Sequence, residues 1–281
     1  IQPEHIICGN GAADLIFRTV FAAKSKKALL LAPTFSEYEK ALSAAGCEIN
    51  FYALKEENDF ALGDDYINVL EGGYDIVFLC SPNNPTGGEL SEQCLLEIVT
   101  RCKRLGILPV IDMSFADFSE NTVSANVLAE AGAAVIKAFT KIYAMPALRL
   151  GYMLCCDEDL LGKVSLAGQS WSVNSLAQAA GAAALDDSDF IGRTVEYISR
   201  ERRFLTEKFG AMGIKTYPAA ANFILLKSEH DLADIAMESG IALRRCENFC
   251  GLDGSFFRTA VRSHEDNIEL VMALERGLLN G

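Results

Sequence analysis

Lys141 follows Thr140 directly and stands eight residues before Arg149 in 139-FTKIYAMPALRLGY-152. A lysine that gives up its proton is a nucleophile toward a carbonyl carbon, and an arginine beside a threonine hydroxyl is a fork for an anion. Most lysines are simply solvated charges, so this spacing needs support from other residues. The stretch 8-CGNGAADLIFR-18 reads as a strand, a Gly-Asn-Gly turn and the start of an amphipathic helix. The amides of Gly11, Ala12 and Ala13 would open the helix N-terminus, where the helix dipole favours a phosphate. Neither GxGxxG nor GK[ST] is present, so a nucleotide fingerprint is missing. The loop 81-SPNNPTGG-88, with Asn84, follows the apolar run DIVFLC, and ligands of open α/β sheets gather at that end of a strand. Asp112 closes the run LPVID, either as a helix cap or as an acid aimed into the same crevice. Arg244 in 241-IALRRCENF-249 and Arg258 in 256-FFRTAVRSHEDN-267 lie in strand-like segments. A half-buried arginine is costly unless it meets a carboxylate or a phosphate.

The elements that would position these residues alternate along the chain. Short apolar runs (HIIC, ALLLA, INFYAL, DIVFLC, LPVID, AVIKAF, RLGYMLCC) are separated by amphipathic helical stretches, the pattern of a mostly parallel α/β sheet with flanking helices. The pattern changes near residue 185. A long helix over 188–213 leads to NFILLKS, IALRRC and FFRTAVR and a final helix, which Ser263 and Asp266 would cap. We therefore expect a large domain over 1–185 and a smaller α+β domain over 186–281. The net charge of −13 argues against a nucleic-acid surface. No apolar run reaches transmembrane length and no signal-peptide pattern is present, so the expectation is a cytoplasmic protein without membrane partners. The nine cysteines form no CxxC or CxxH pair. Buried free thiols, Cys8 and Cys47 among them, are expected, with no metal site. Ile1 stands almost at the first strand, and natural residues are expected before it.

The motifs GNGAADLI, PTFSEY, SPNNPTG, a strand ending in Asp112, FTK followed by LRLGY, and FRTAVR occur in this order. Together they resemble the fold-type I pyridoxal-phosphate enzymes, the class I/II aminotransferases, over nearly the whole chain. DMSFADF, SWSVNSLAQAAGAAAL, YPAAANFILL and FRTAVRSHEDN are most similar to the threonine-phosphate decarboxylase branch of cobalamin biosynthesis; the histidinol-phosphate aminotransferase branch fits less well at WSVN. The resemblance implies a seven-stranded-type sheet in the large domain and pyridoxal 5'-phosphate as cofactor. It makes Lys141 the residue that bonds the cofactor, and Asp112 the acid that keeps the pyridine nitrogen protonated. It makes Asn84 the donor to the ring oxygen and Tyr38 the stacking aromatic. Gly11, Ala12, Ala13, Thr140 and Arg149 become the phosphate cup. Arg258 becomes the clamp for the carboxylate of an amino-acid substrate, and Arg244 a contact for a substrate phosphate. A homodimer with its sites at the subunit interface is implied, as is an N-terminal arm over the substrate, which this sequence lacks. Phe115 stands where many relatives carry a tyrosine hydroxyl, and Ala138 lacks a hydroxyl often found there. Decarboxylation of threonine phosphate is the leading expectation, with histidinol-phosphate or general amino-acid transamination behind it. A catalytically degenerate cofactor-binding domain is the alternative of another class.

Overall fold

Seven strands, β1 (Ile6–Gly9), β2 (Lys27–Ala32), β3 (Glu48–Ala53), β4 (Ile76–Cys80), β5 (Leu108–Asp112), β6 (Ala134–Ala138) and β7 (Gly151–Leu154), form one sheet in the computed structural model, in the order β1-β7-β6-β5-β4-β2-β3. The structure describes residues 1–121 and 123–280; Gly281, the last residue of the expected second domain, lies outside them. The strands from β3 to β6 run parallel, while β7 is antiparallel to both β6 and β1. All five residues of β4 are buried, as an unbroken apolar run requires when helices cover both faces of a sheet. Helix Glu92–Leu105 shows how the covering helices are delimited. Ser91 Oγ accepts from the Cys94 amide at its start, and Gly106 ends it with φ 71°.

This topology brings the candidate motifs to one edge. Cys80 and Asp112 are register partners at the ends of β4 and β5, and the Ser81 amide donates to the Asp112 carbonyl at 3.0 Å. β6 ends beside them at Ala138 and runs into the short helix Phe139–Ile142, which carries Thr140 and Lys141. Arg149 does not open a strand as expected. Its φ is 58°, and the left-handed turn places it ahead of β7, which starts at Gly151. Cys8, expected in the core, is exposed because β1 is an edge strand.

A second, antiparallel sheet combines β8 (Lys215–Thr216), β9 (Phe223–Lys227), β10 (Arg244–Arg245) and β11 (Phe256–Ala260) in the order β10-β11-β9-β8. The expected strand IALRRC shrinks to the paired Arg244 and Arg245. Helices Phe190–Ala211 and His264–Asn280 pack on this sheet, and Ser263 Oγ caps the latter by accepting from the Asp266 amide at 3.1 Å. The two sheets are tied together at several points. Phe115, Phe118 and Ile142 join the apolar cluster under the small sheet, and the Ala220 amide donates to the Gly87 carbonyl. Glu56, just after β3, accepts from Lys227 Nζ (2.7 Å), Tyr217 Oη (2.8 Å) and Lys215 Nζ (3.0 Å). No described helix is long and apolar enough to cross a membrane.

Candidate active site

The carboxyl edge of the large sheet holds a cavity lined by Ala12, Ala13, Asn84, Asp112, Thr140, Lys141 and Arg149, together with Phe35, Ser114 and Phe115. Residues separated by up to 137 positions along the chain, from Ala12 to Arg149, thus share one small space. A larger cavity of about 410 Å³ lies beyond Cys80, under the 83–88 loop. The charged residues lining it are Asp59 and Glu89, with no lysine or arginine, so it is unsuited to an anion.

Asp112 is the buried acid of the smaller cavity, 3% exposed. Its Oδ1 accepts from the Ser114 amide at 2.9 Å and its Oδ2 from Tyr38 Oη at 2.7 Å. This arrangement corrects the expectation for Tyr38. The tyrosine is fully buried, stacks on Phe78 with centroids 4.9 Å apart, and does not line the cavity. Phe35 lines it instead. Phe35 precedes helix Ser36–Ala44 in extended conformation, whereas Tyr38 lies in the first turn and is directed into the core beneath Asp112. Burial, and then the Asp112 charge, push the Tyr38 phenol well above its ordinary range, so it stays a donor to the carboxylate. The same two causes raise the Cys80 thiol to about 12, which leaves it unreactive.

Lys141 is exposed as a residue, and its amine lies 5.1 Å from the centroid of the Phe115 ring. Its pKa is lowered by burial first and by Arg258 next; Asp112 opposes the shift and Arg149 adds to it. The neighbouring Lys137 is committed elsewhere, donating to Asp117 at 2.6 Å. Among the described residues, Lys141, Arg149, Arg244 and Arg258 make no ion pair, whereas Arg18, Arg101, Arg193, Arg245 and Arg262 each have an acidic partner. In a chain with a net charge of −13, Lys141, Arg149 and Arg258, close enough for the two arginines to lower the lysine's pKa, form a local anion-binding field.

The turn before helix Ala12–Ala23 is built around a close approach. Gly11 has φ 81° and ψ 169°, and a Cβ there would lie 2.7 Å from Arg149 Nη2. The expectation for its amide needs correcting, because Gly11 N donates to the Gly9 carbonyl at 2.8 Å. Ala12 and Ala13, in the first turn, keep the amides that a helix leaves without partners. Gly151 permits this packing, since a Cβ on it would lie 2.7 Å from Ala12 N. Asp14 fixes the turn from behind, accepting from the Asn10 amide at 2.8 Å while paired with the buried Arg18. Thr140 is buried at the cavity wall.

On the opposite side, Arg258 donates from Nη1 to Asn84 Oδ1, and burial lowers its pKa. Arg244 is its direct partner across the β10–β11 ladder, so the two side chains share one face of the small sheet. Arg244 is exposed and donates to Asn248 Oδ1 at 2.8 Å. Sequence reasoning missed Phe35 and Ser114 in the cavity wall. The quoted motifs PTFSEY and DMSFADF contain both residues but do not say which side chain faces inward.

Residues 1–274 match the family model described as aminotransferase class I and II. The chain is 36% identical over 288 residues to the threonine-phosphate decarboxylase of Salmonella typhimurium, covering 100% of this chain and 79% of that protein. It is 31% identical over 272 residues to the histidinol-phosphate aminotransferase of Methanosarcina mazei, covering 95% of this chain and 71% of that protein. The fold is similar to the crystal structure of the histidinol-phosphate aminotransferase from Clostridium acetobutylicum, with a TM-score of 0.92 at 27% identity, covering 99% of this chain and 84% of that one. The motif order, the seven-stranded sheet and the extent of the family match agree: the chain belongs to the class I and II aminotransferase family.

Proposed function

We propose that this enzyme uses pyridoxal 5'-phosphate to decarboxylate a small phosphorylated amino acid, with threonine phosphate as the model substrate. The observation that carries this reading is a cavity floored by the buried Asp112 and lined by Lys141 and Arg149, with Arg258 bonded to Asn84 of its wall; among the described residues none of these three cations is paired with an acid. The residues present fit the cofactor. Ser114 Oγ is buried without a partner beside Asp112, and Asn84 holds Arg258 through its oxygen, which leaves its amide nitrogen to donate. Ala12, Ala13, Thr140 and Arg149 would hold the cofactor phosphate, and Gly11 gives Arg149 the room to do so. Phe35 would take the ring face.

Bound pyridoxal phosphate supplies an electron sink for a bond broken at the substrate α-carbon. Asp112 would hold the proton on the pyridine nitrogen, with Tyr38 and the Ser114 amide fixing its two oxygens. Lys141, its pKa lowered, would carry a proton to and from the substrate side. Arg258 would orient the α-carboxylate and Arg244 the phosphate, from one face of one sheet. The higher identity to a named decarboxylase favours loss of carbon dioxide. The fold likeness to a named aminotransferase keeps transamination as the second reading. Supplying threonine phosphate to the cofactor-loaded enzyme separates them. Carbon dioxide and aminopropanol phosphate formed without an oxo-acid acceptor support the proposal. A requirement for 2-oxoglutarate with return of glutamate replaces decarboxylation by transamination.

The two sheets support a reading of 1–185 and 186–281 as two domains. A homodimer is also part of this proposal. Leu166, Trp171, Leu176 and Leu185 are 65–96% exposed, and Asn174 in the same stretch bonds the Leu148 carbonyl beside Arg149. A second copy would cover this apolar strip next to the cavity, which light scattering of the full-length protein tests. The nine free cysteines suit a reducing, cytoplasmic setting.

A further inference from the structure

The orientation of Arg258 is set without an acid. Asn84 Oδ1 accepts from its Nη1, and its Cζ lies 4.8 Å from the centroid of the Phe223 ring. Phe223, on β9, is 4% exposed and meets Phe115 edge-to-face, with centroids 5.0 Å apart and planes at 87°. Phe115 in turn lies under the Lys141 amine. Two perpendicular rings therefore carry one cation each and stand between charges that repel. A ring face attracts a cation through its quadrupole, and the perpendicular arrangement is a favoured one for an aromatic pair. A leucine at either position would fill similar space and keep the apolar packing, but it would offer no negative face.

We propose that Phe223, buttressed by Phe115, is a positioning residue that holds the Arg258 guanidinium against Asn84, a residue of the cavity wall, so that the ring governs carboxylate affinity without touching the ligand. This rests on the assignment of Arg258 as the carboxylate fork.

The test uses two ligands that lack an amine and cannot react: 3-(phosphonooxy)butanoate, and sec-butyl phosphate, which has a methyl group in place of the carboxylate. Calorimetric titration of the cofactor-loaded, full-length enzyme gives the preference for the carboxylate. Phe223→Leu should cut that preference about three- to thirtyfold, the range for loss of one cation–π contact, with sec-butyl phosphate binding unchanged. Fluorinated phenylalanines placed at position 223 keep the shape and weaken the ring face, so the preference should fall stepwise with fluorine number. A preference that survives in Phe223→Leu, or a flat fluorine series, overturns the inference and leaves Phe223 as a space filler. A preference that is absent in the unmodified enzyme, or intact in Arg258→Ala, removes the assignment of Arg258 itself.

Discussion

Replacing Arg244 by alanine should weaken phosphorylated substrates selectively. Arg244 makes no ion pair among the described residues, and its one side-chain bond is to Asn248, so its loss strands no buried acid. Its Cα is the register partner of Arg258, while its side chain is exposed and Arg258 is half-buried. A charge-assisted hydrogen bond to phosphate contributes about 1.5–3 kcal/mol. Solvent screening at this exposed position brings the expectation to about 1–2 kcal/mol, or roughly five- to thirtyfold in KM. The assay compares kcat and KM for threonine phosphate and for unphosphorylated threonine, at low and at high salt. KM for the phosphorylated substrate should rise in Arg244→Ala, by less at high salt, with threonine within about twofold. Arg258→Ala should raise KM for both. Equal effects of Arg244→Ala on both substrates would refute the assignment of Arg244 to the phosphate.

Other substitutions probe the remaining parts of the site. Gly11→Ala forces a side chain into a backbone region used almost solely by glycine, at a cost of about 1–3 kcal/mol, and displaces Arg149. Cofactor affinity should drop by about tenfold or more, read by fluorescence titration alongside a melting curve. Asp112→Asn keeps shape and loses charge, so the cofactor should still bind while kcat falls ~10²–10³-fold; near-normal turnover would make Asp112 a strand-end cap only. Glu56 is held at about 2, below its ordinary 4.5, chiefly by Lys227 and then Tyr217. Its contribution is fully present above pH 4.5 and lost as pH falls toward 2. Glu56→Gln should cost about 1–2 kcal/mol at pH 7 in urea melts, and the gap to the unmodified protein should close in acid.

The fold was legible because each apolar run ends where a turn or a polar loop begins, and the parallel order stacks those ends on one edge. SPNNPTGG and the run ending in Asp112 illustrate this, since Cys80 and Asp112 are register neighbours. What stayed hidden was direction. Phe35 and Tyr38 lie three residues apart in one motif, and only packing against Phe78 decides which ring faces the core. The Gly11 amide looks free in a Gly-Asn-Gly turn until the bond to the Gly9 carbonyl is seen. The partners of Glu56 lie 159 to 171 residues away, and Phe223 meets Phe115 across the two sheets. No local pattern encodes contacts of that range. Arg244 and Arg258 carried a legible cost as arginines in strands, but their pairing depends on a ladder only two residues long.

The central claim is that Lys141 is the reactive nitrogen. Borohydride reduction of the purified, cofactor-loaded protein followed by peptide mapping tests it most directly. The visible absorption band should be bleached and the cofactor fixed covalently on the peptide containing Lys141, with none on Lys137, whose amine is held by Asp117. Labelling of Lys137 or of any other lysine, or a protein that binds no cofactor at all, would contradict the account.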